Sequence, residues 1–329
     1  MSSFNPVDDH PFQGEMPEPL FCEAQQWNVT DGQWGVICHL GTMPGDIKLW
    51  HIAFAVTCPD GTVLATKLVG RGEKGTFGTH TMNTVTVEPY KRWRLRFDGA
   101  VRRYNPSELY SRPGYDGGHI PAVVELDITA AHDVWEPGAR HDDNPDALFK
   151  STYRMHHEQP LRAVGFIEVA GERVPFEGLG HRDHSQGPRE RKTVQSYWVN
   201  GIFESGWAFA TMVGVTDPGG EFERTAIYRN GRVIEAALEK WSDIQVSAPV
   251  PNDYEMVINC EGERLAMNVS CKNGINWFGP GRTEWAIGTD LSDPNSYLYT
   301  HYFGEFECNG EKGIGFVDRG ARASLLKHP

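Results

Sequence analysis

Trp207-Ala208-Phe209-Ala210-Thr211-Met212-Val213-Gly214-Val215 alternates large residues with small ones. In an extended chain, successive side chains point to opposite faces. Trp207, Phe209, Thr211, Val213 and Val215 then share one face, with Ala208, Ala210, Met212 and Gly214 on the other. The first face is bulky and apolar with a hydroxyl, Thr211, in the middle. This pattern fits a barrel strand whose bulky face lines the interior, or the inner face of a sandwich.

The surrounding sequence repeats the theme. Strands are expected at Val194–Val199, Glu221–Tyr228, Val233–Leu238, Tyr254–Cys260, Arg264–Cys271, Glu284–Gly288, Tyr297–Cys308 and Gly313–Asp318. The punctuation is Asn200-Gly201, Asp217-Pro218-Gly219-Gly220, Asn230-Gly231, Glu261-Gly262, Asn273-Gly274 and Asn309-Gly310. Asn-Gly favours type I′ turns, which need positive φ at both central residues. Short strands with little helix predict an all-β chain of two tandem antiparallel barrel or sandwich domains.

Upstream the reading is coarser. Residues 1–30 are polar and Pro-rich, which predicts an arm over the body. Hairpins are expected from Ile47–Cys58 with Thr62–Val69, and from Thr84–Glu88 with Arg92–Asp98. Residues 102–119 and 132–149 read as long loops, with a short helix around Pro145–Lys150. Tyr153–Glu158, Arg162–Val169 and Arg173–Gly178 follow as strands. The domains expected are 1–188, with its arm, and 189–329. A weak echo relates them: Val56–Gly61 resembles Val215–Gly220, and Gly171-Glu172-Arg173 resembles Gly310-Glu311-Lys312, each followed by Gly and Asp.

Bulk properties limit the function. A chain of 329 residues with net charge −13 does not favour nucleic acid or an anionic membrane as partner. No apolar run approaches the ~18 residues of a membrane span, and Met1–Pro6 shows no charged region followed by an apolar core, so no signal peptide is expected. Six cysteines show neither CxxC pairs nor zinc spacing, consistent with reduced thiols and a cytoplasmic location.

The densest group of ionisable residues is Gly178-Leu179-Gly180-His181-Arg182-Asp183-His184-Ser185-Gln186-Gly187-Pro188-Arg189. Burying such groups is costly unless they pair or serve a purpose. Alternation splits them, with His181 and Asp183 on one face and Arg182 and His184 on the other, so they cannot all line one site. Pro188 should end the strand. Just upstream, Arg154, His156 and Glu158 share a face that could meet this motif. In Tyr297–Glu305, the face carrying Tyr299 and His301 is aromatic with polar tips, which suits a pocket wall.

Asp183-His184-Ser185-Gln186-Gly187 resembles the Asp-His-x-Trp-Gly motif of the carotenoid 1,2-hydratase (hydroxyneurosporene synthase)-like, AttH-like family. His157-Glu158-Gln159-Pro160 and Gly313-x-Gly315-Phe316-Val317-Asp318 fit an uncharacterised bacterial branch of it. The resemblance covers about residues 150–320 well. It implies two lipocalin-like domains joined at the motif, and hydratase or cyclase chemistry on terpenoid-like substrates. Two departures stand out. Gln186 replaces the family's Trp, and Trp207–Val213 lacks the acid that the hydratases carry on a following strand.

The expected function is therefore a cofactor-independent lyase, hydratase, cyclase or isomerase acting on a hydrophobic terpenoid, steroid or aromatic. Asp183 or His184 is the expected proton donor, with His181 beside them. Burial could keep Asp183 protonated as an acid. Tyr197, Trp198, Trp207 and Trp285 could stabilise positive charge through their ring faces, and Arg182, Thr211 and His301 complete the expected substrate contacts. The alternative is a non-catalytic carrier with the same cavity. A metal hydrolase built on His181, Asp183 and His184 is disfavoured, because alternation separates the two histidines, and no metal or cofactor is expected. The partners expected are the apolar substrate and, at most, a second copy of the chain.

Overall fold

The computed structural model describes residues 4–114, 117–137, 153–188, 193–217, 219–241, 253–279 and 285–326. The helix expected around Pro145–Lys150 lies outside these residues, as do Arg189 and Arg191.

Ten strands build the first sheet: β1 Phe21–Thr30, β2 Gly35–Met43, β3 Asp46–Thr57, β4 Val63–Arg71, β5 Phe77–Gly78, β6 Met82–Glu88, β7 Arg92–Tyr104, β8 Ile120–Ala130, β9 Met155–Val169 and β10 Glu172–Pro188. Nine build the second: β11 Thr193–Phe203, β12 Ala208–Thr216, β13 Gly220–Arg229, β14 Arg232–Lys240, β15 Tyr254–Cys260, β16 Glu263–Gly279, β17 Ala286–Ile287, β18 Tyr297–Cys308 and β19 Glu311–Arg322. Pairing of β4 with β7 closes the first sheet, and pairing of β15 with β16 closes the second. The result is two eight-stranded antiparallel barrels in tandem, with no α-helix among the described residues. Closure leaves few free strand edges to recruit another chain.

Each barrel has its own core. Trp27, Cys38, Phe54, Leu95 and Phe97 fill the first, and Phe209, Val213, Ile258, Met267 and Phe306 fill the second. As the alternation predicts, Phe209 and Val213 point inward, while Ala208 and Ala210 face out. Small residues there let the first barrel approach closely. A third apolar cluster joins Ile37, Ala55, Val63 and Leu109 to Ile275, Trp277, Trp285 and Phe316, gluing the outer face of one barrel to that of the other. Each large side chain so buried contributes about 1.5–3 kcal/mol.

Several expectations need correction. The arm read over residues 1–30 includes β1, which is buried along its whole length and pairs with both β2 and β10. Its polar residues Glu23, Gln25, Gln26 and Asn28 conceal it, because they are buried instead of facing solvent. Residues 155–169 form one strand through Pro160, not two. The loop expected at 102–119 contains the end of β7 and a 3₁₀ turn, Pro106–Tyr110. Asn200-Gly201 is not a turn: β11 runs through it, and a Cβ on Gly201 would meet Phe209 at 2.9 Å, so glycine serves close packing there. Asn273-Gly274 marks an irregularity within β16. The pairs Ala170-Gly171, Asn230-Gly231, Glu261-Gly262 and Asn309-Gly310 do carry the positive φ at both positions that a type I′ hairpin requires.

Candidate active site between the barrels

The last strand of the first barrel, β10, lies between β1 and β9. Alternation turns Arg182 and His184 into the barrel, and His181, Asp183 and Ser185 out towards the second barrel. The inward pair is fully buried and structural. Arg182 places Nη2 2.6 Å from Asp9 Oδ1, and its guanidinium lies 4.2 Å from the Trp93 ring centroid. Asp9 Oδ2 in turn accepts from the Tyr90 amide and Trp93 Nε1. His184 Nε2 is 3.0 Å from Glu23 Oε1, which also accepts from Gln186 Nε2. The neighbouring His157 is pushed down to about 2 by burial and by the positive field of His184 and Arg182, so it stays neutral.

The outward residues meet their counterparts on β9. Asp183 lies opposite Glu158, and Ser185 opposite His156. His156 Nε2 is 2.8 Å from Asp183 Oδ2 and 3.0 Å from Glu158 Oε1. His181 Nε2 is 2.6 Å from Glu158 Oε2, and Ser185 Oγ donates to Asp183 Oδ1 at 2.9 Å. Two histidines and two carboxylates thus form one network, on the face where the sequence placed His156 and Glu158. Burial would push His156 down, but Asp183 and Glu158 together outweigh it and raise its pKa to about 10. At neutral pH the ring is an imidazolium. The side chains of His156 and Glu158 are buried, while that of Asp183 keeps 20 % of its surface open.

That opening leads into a cavity of about 130 Å³ between the barrels. The first barrel contributes Gln26, His39, His156, Asp183 and Ser185 to its wall, and the second contributes Trp198, Met212, Trp285, Tyr299, His301 and Asp318. His39 stacks on Trp285 at 4.8 Å, and Tyr299 packs on the same indole at 4.7 Å. Such a wall has ionisable groups from both barrels and aromatic faces among them. The cavity is not fully enclosed, and its volume suits one ring or the end of a larger molecule.

The residues expected from the sequence divide among four places. Asp183, Tyr197, Trp198, Trp285 and His301 line the cavity. His181 stands behind it, hydrogen-bonded to Glu158, with its ring against Trp198 and Tyr228. Arg182 and His184 lie inside the first barrel. Inside the second, the Tyr197 hydroxyl donates to Tyr254 and Thr211 is bonded to Thr225, while Trp207 stacks on Phe203 and bonds Glu311. His156, Glu158 and Tyr299 were legible as face-mates of expected residues, and Asp318 as the end of a quoted motif. Gln26 and His39 carry no local signal.

His156, Glu158 and Asp183 offer ligand atoms within 4.8 Å of one another, a spacing that could also hold a divalent ion. The same spacing is met by an imidazolium shared between two carboxylates, which offsets one of their two negative charges.

Comparison with solved structures finds the same two-barrel fold elsewhere. An AttH-like protein from Nitrosomonas europaea is 12 % identical over 92 % of each chain, with a TM-score of 0.57. CghA, solved with Sch210972, is 11 % identical over 92 % of this chain and 88 % of its own, with a TM-score of 0.54. Kievitone hydratase from Nectria haematococca is 9 % identical over 91 % and 88 %, with a TM-score of 0.51. No curated protein matches the sequence. The sequence does match, over residues 6–319, the family described as a domain of unknown function, DUF7064. With nearly the whole chain inside that match, this protein belongs to the DUF7064 family.

Proposed function

We propose that the cavity between the barrels is the active site of a cofactor-independent acid/base enzyme of hydratase, lyase, cyclase or isomerase type. Its substrate is an apolar small molecule of terpenoid, steroid or aromatic character. We further propose that the chain divides into domains at 188/189, with the site at their junction.

One observation carries the reading. Asp183, with His156, belongs to a buried four-residue proton network that borders an aromatic-walled cavity. Because His156 is an imidazolium, Asp183 meets the substrate as a carboxylate and takes a proton. This differs from the sequence-based expectation of a protonated Asp183. Ser185 orients the carboxylate, and Glu158 with His181 holds His156 in place. Trp198 and Trp285 present rings to any positive charge that develops, worth about 0.5–2 kcal/mol each when desolvated. The fold shared with a hydratase of kievitone is in keeping with this chemistry.

The test is incubation with prenylated phenols, terpenoid alkenes and steroids in H₂¹⁸O, with products read by mass spectrometry. The proposal expects a hydrated, dehydrated or isomerised product, formed without added cofactor and lost in Asp183→Asn. Binding of these compounds with no product from any of them would favour the carrier instead.

A further inference from the structure

The two barrels are built to one register, and the register identifies a second polar pair. In each barrel the first strand pairs with the last: β1 with β10, and β11 with β19. Gly180 of β10 lies so close to β1 that an added Cβ would stand 1.9 Å from the Asn28 carbonyl, and three residues on, Asp183 lies opposite Gln26. In β19 the same added atom on Gly315 would stand 2.0 Å from the Asn200 carbonyl, and three residues on, Asp318 lies opposite Trp198. Gln26 precedes Asn28 by two positions, and Trp198 precedes Asn200 by two. Asp318 is therefore the counterpart of Asp183. On the preceding strands, Glu158 is opposite Asp183 and His301 is opposite Asp318. The position of Glu158 in one barrel is filled by a histidine in the other. Both aspartates point outward, and both line the same cavity.

The second pair has spare hydrogen-bonding capacity. The His301 side chain is 2 % exposed, and its Nε2 is 3.5 Å from Asp318 Oδ2. Its Nδ1, and Oδ1 of Asp318, have no hydrogen-bond partner among the described residues. A buried ring nitrogen left unpaired costs about 1–3 kcal/mol unless something fills the place. Trp285, Tyr299 and Phe316 surround the ring, so no other protein group supplies that bond.

We infer that His301, oriented by Asp318, is the proton donor that faces Asp183 across the cavity. The inference rests on the proposed function, in which Asp183 accepts a proton, and supplies the complementary half. A substrate held between them loses a proton to the Asp183 carboxylate and gains one from a ring N–H of His301 at a second atom. The protein ends with the same number of protons, relocated, and solvent restores the starting state. Hydration, elimination and double-bond migration all fit this push and pull. His301 touches the reacting atoms, whereas Asp318 is a positioning residue.

A pair of small probes tests this without the natural substrate. In 1,2-benzisoxazole a base removes the C3 proton, the N–O bond breaks as the nitrile forms, and the departing phenolate oxygen takes up a proton. In the 5-nitro derivative that phenolate is stable enough to leave unaided. Asp183→Asn should slow both probes about a hundredfold or more. His301→Gln should slow 1,2-benzisoxazole about tenfold or more, yet leave the nitro derivative within about threefold. Asp318→Asn should act in the same direction more weakly, with Asp318→Glu restoring part of the loss. Equal slowing of both probes by His301→Gln, or of neither, overturns the inference, and if that variant does not fold, the same comparison is read from Asp318→Asn. A rate that does not depend on Asp183 overturns the proposed function instead, and this inference with it.

Discussion

Asp183 and Glu158 stand directly opposite each other on β10 and β9, and the ring of His156 bridges their carboxylates at 2.8 and 3.0 Å. Cross-strand pairs of like charge are destabilising unless something neutralises them. Here a buried imidazolium between them offsets one of the two charges. The arrangement has consequences for stability as well as chemistry.

His156 is raised to about 10 in the fold, against about 6.5 in an unfolded chain. Between those values the folded state holds a proton that the unfolded state does not. Its contribution is complete below pH ~6.5 and is lost as pH rises towards 10. His157 works in the opposite sense. It is held down to about 2, so its contribution is present above pH ~6.5 and lost as pH falls. Thermal melts across pH should show an alkaline decline that His156→Gln flattens, and an acid decline that His157→Gln flattens. A wild-type alkaline limb unchanged in His156→Gln would contradict the assignment.

Arg182 and Asp9 form an ion pair with both side chains at 0 % exposure. Removing one partner strands the other charge in the first barrel, at a cost of about 3–5 kcal/mol. Arg182→Met and Asp9→Leu should each lower the urea midpoint sharply, and the double variant should recover much of the loss. Turnover per folded molecule should stay near wild type, because this face of β10 does not reach the cavity. Selective loss of turnover in a stable Arg182→Met protein would place Arg182 in the chemistry.

The network should work with a proton and not with a metal ion. Exhaustive treatment with EDTA should leave the rate on the benzisoxazole probes unchanged. Added Zn²⁺ should inhibit by displacing the proton of His156, more strongly as pH rises. Activation by Zn²⁺ or Mn²⁺ after chelation would convert His156, Glu158 and Asp183 into ligands.

Much of this architecture is legible in local sequence. Alternation in Trp207–Val215 shows which face of that strand lies inward, and alternation through 181–184 divides the ionisable residues between two faces as the structure does. What sequence does not disclose is closure. Pairing of β1 with β10 brings Asp9, Glu23 and Gln26 against residues some 160 positions away. No periodicity announces β1, since both its faces are buried and one carries Glu23 and Gln25. His184 attracts attention because it belongs to a motif, yet its partner Glu23 holds it inside the barrel. The echo between the halves is part real. Gly171 and Gly310 occupy equivalent last hairpins, whereas Val56–Gly61 joins the third and fourth strands of one barrel and Val215–Gly220 the second and third of the other.

The central claim is that Asp183 exchanges the reacting proton in the cavity between the barrels. The most direct measurement compares wild type and Asp183→Asn for turnover of a converted compound and, in the same samples, for its binding by quenching of tryptophan fluorescence. The account predicts turnover lower by about a hundredfold or more, with the dissociation constant within a few-fold and the melting temperature retained. Undiminished turnover in a folded Asp183→Asn protein would contradict it.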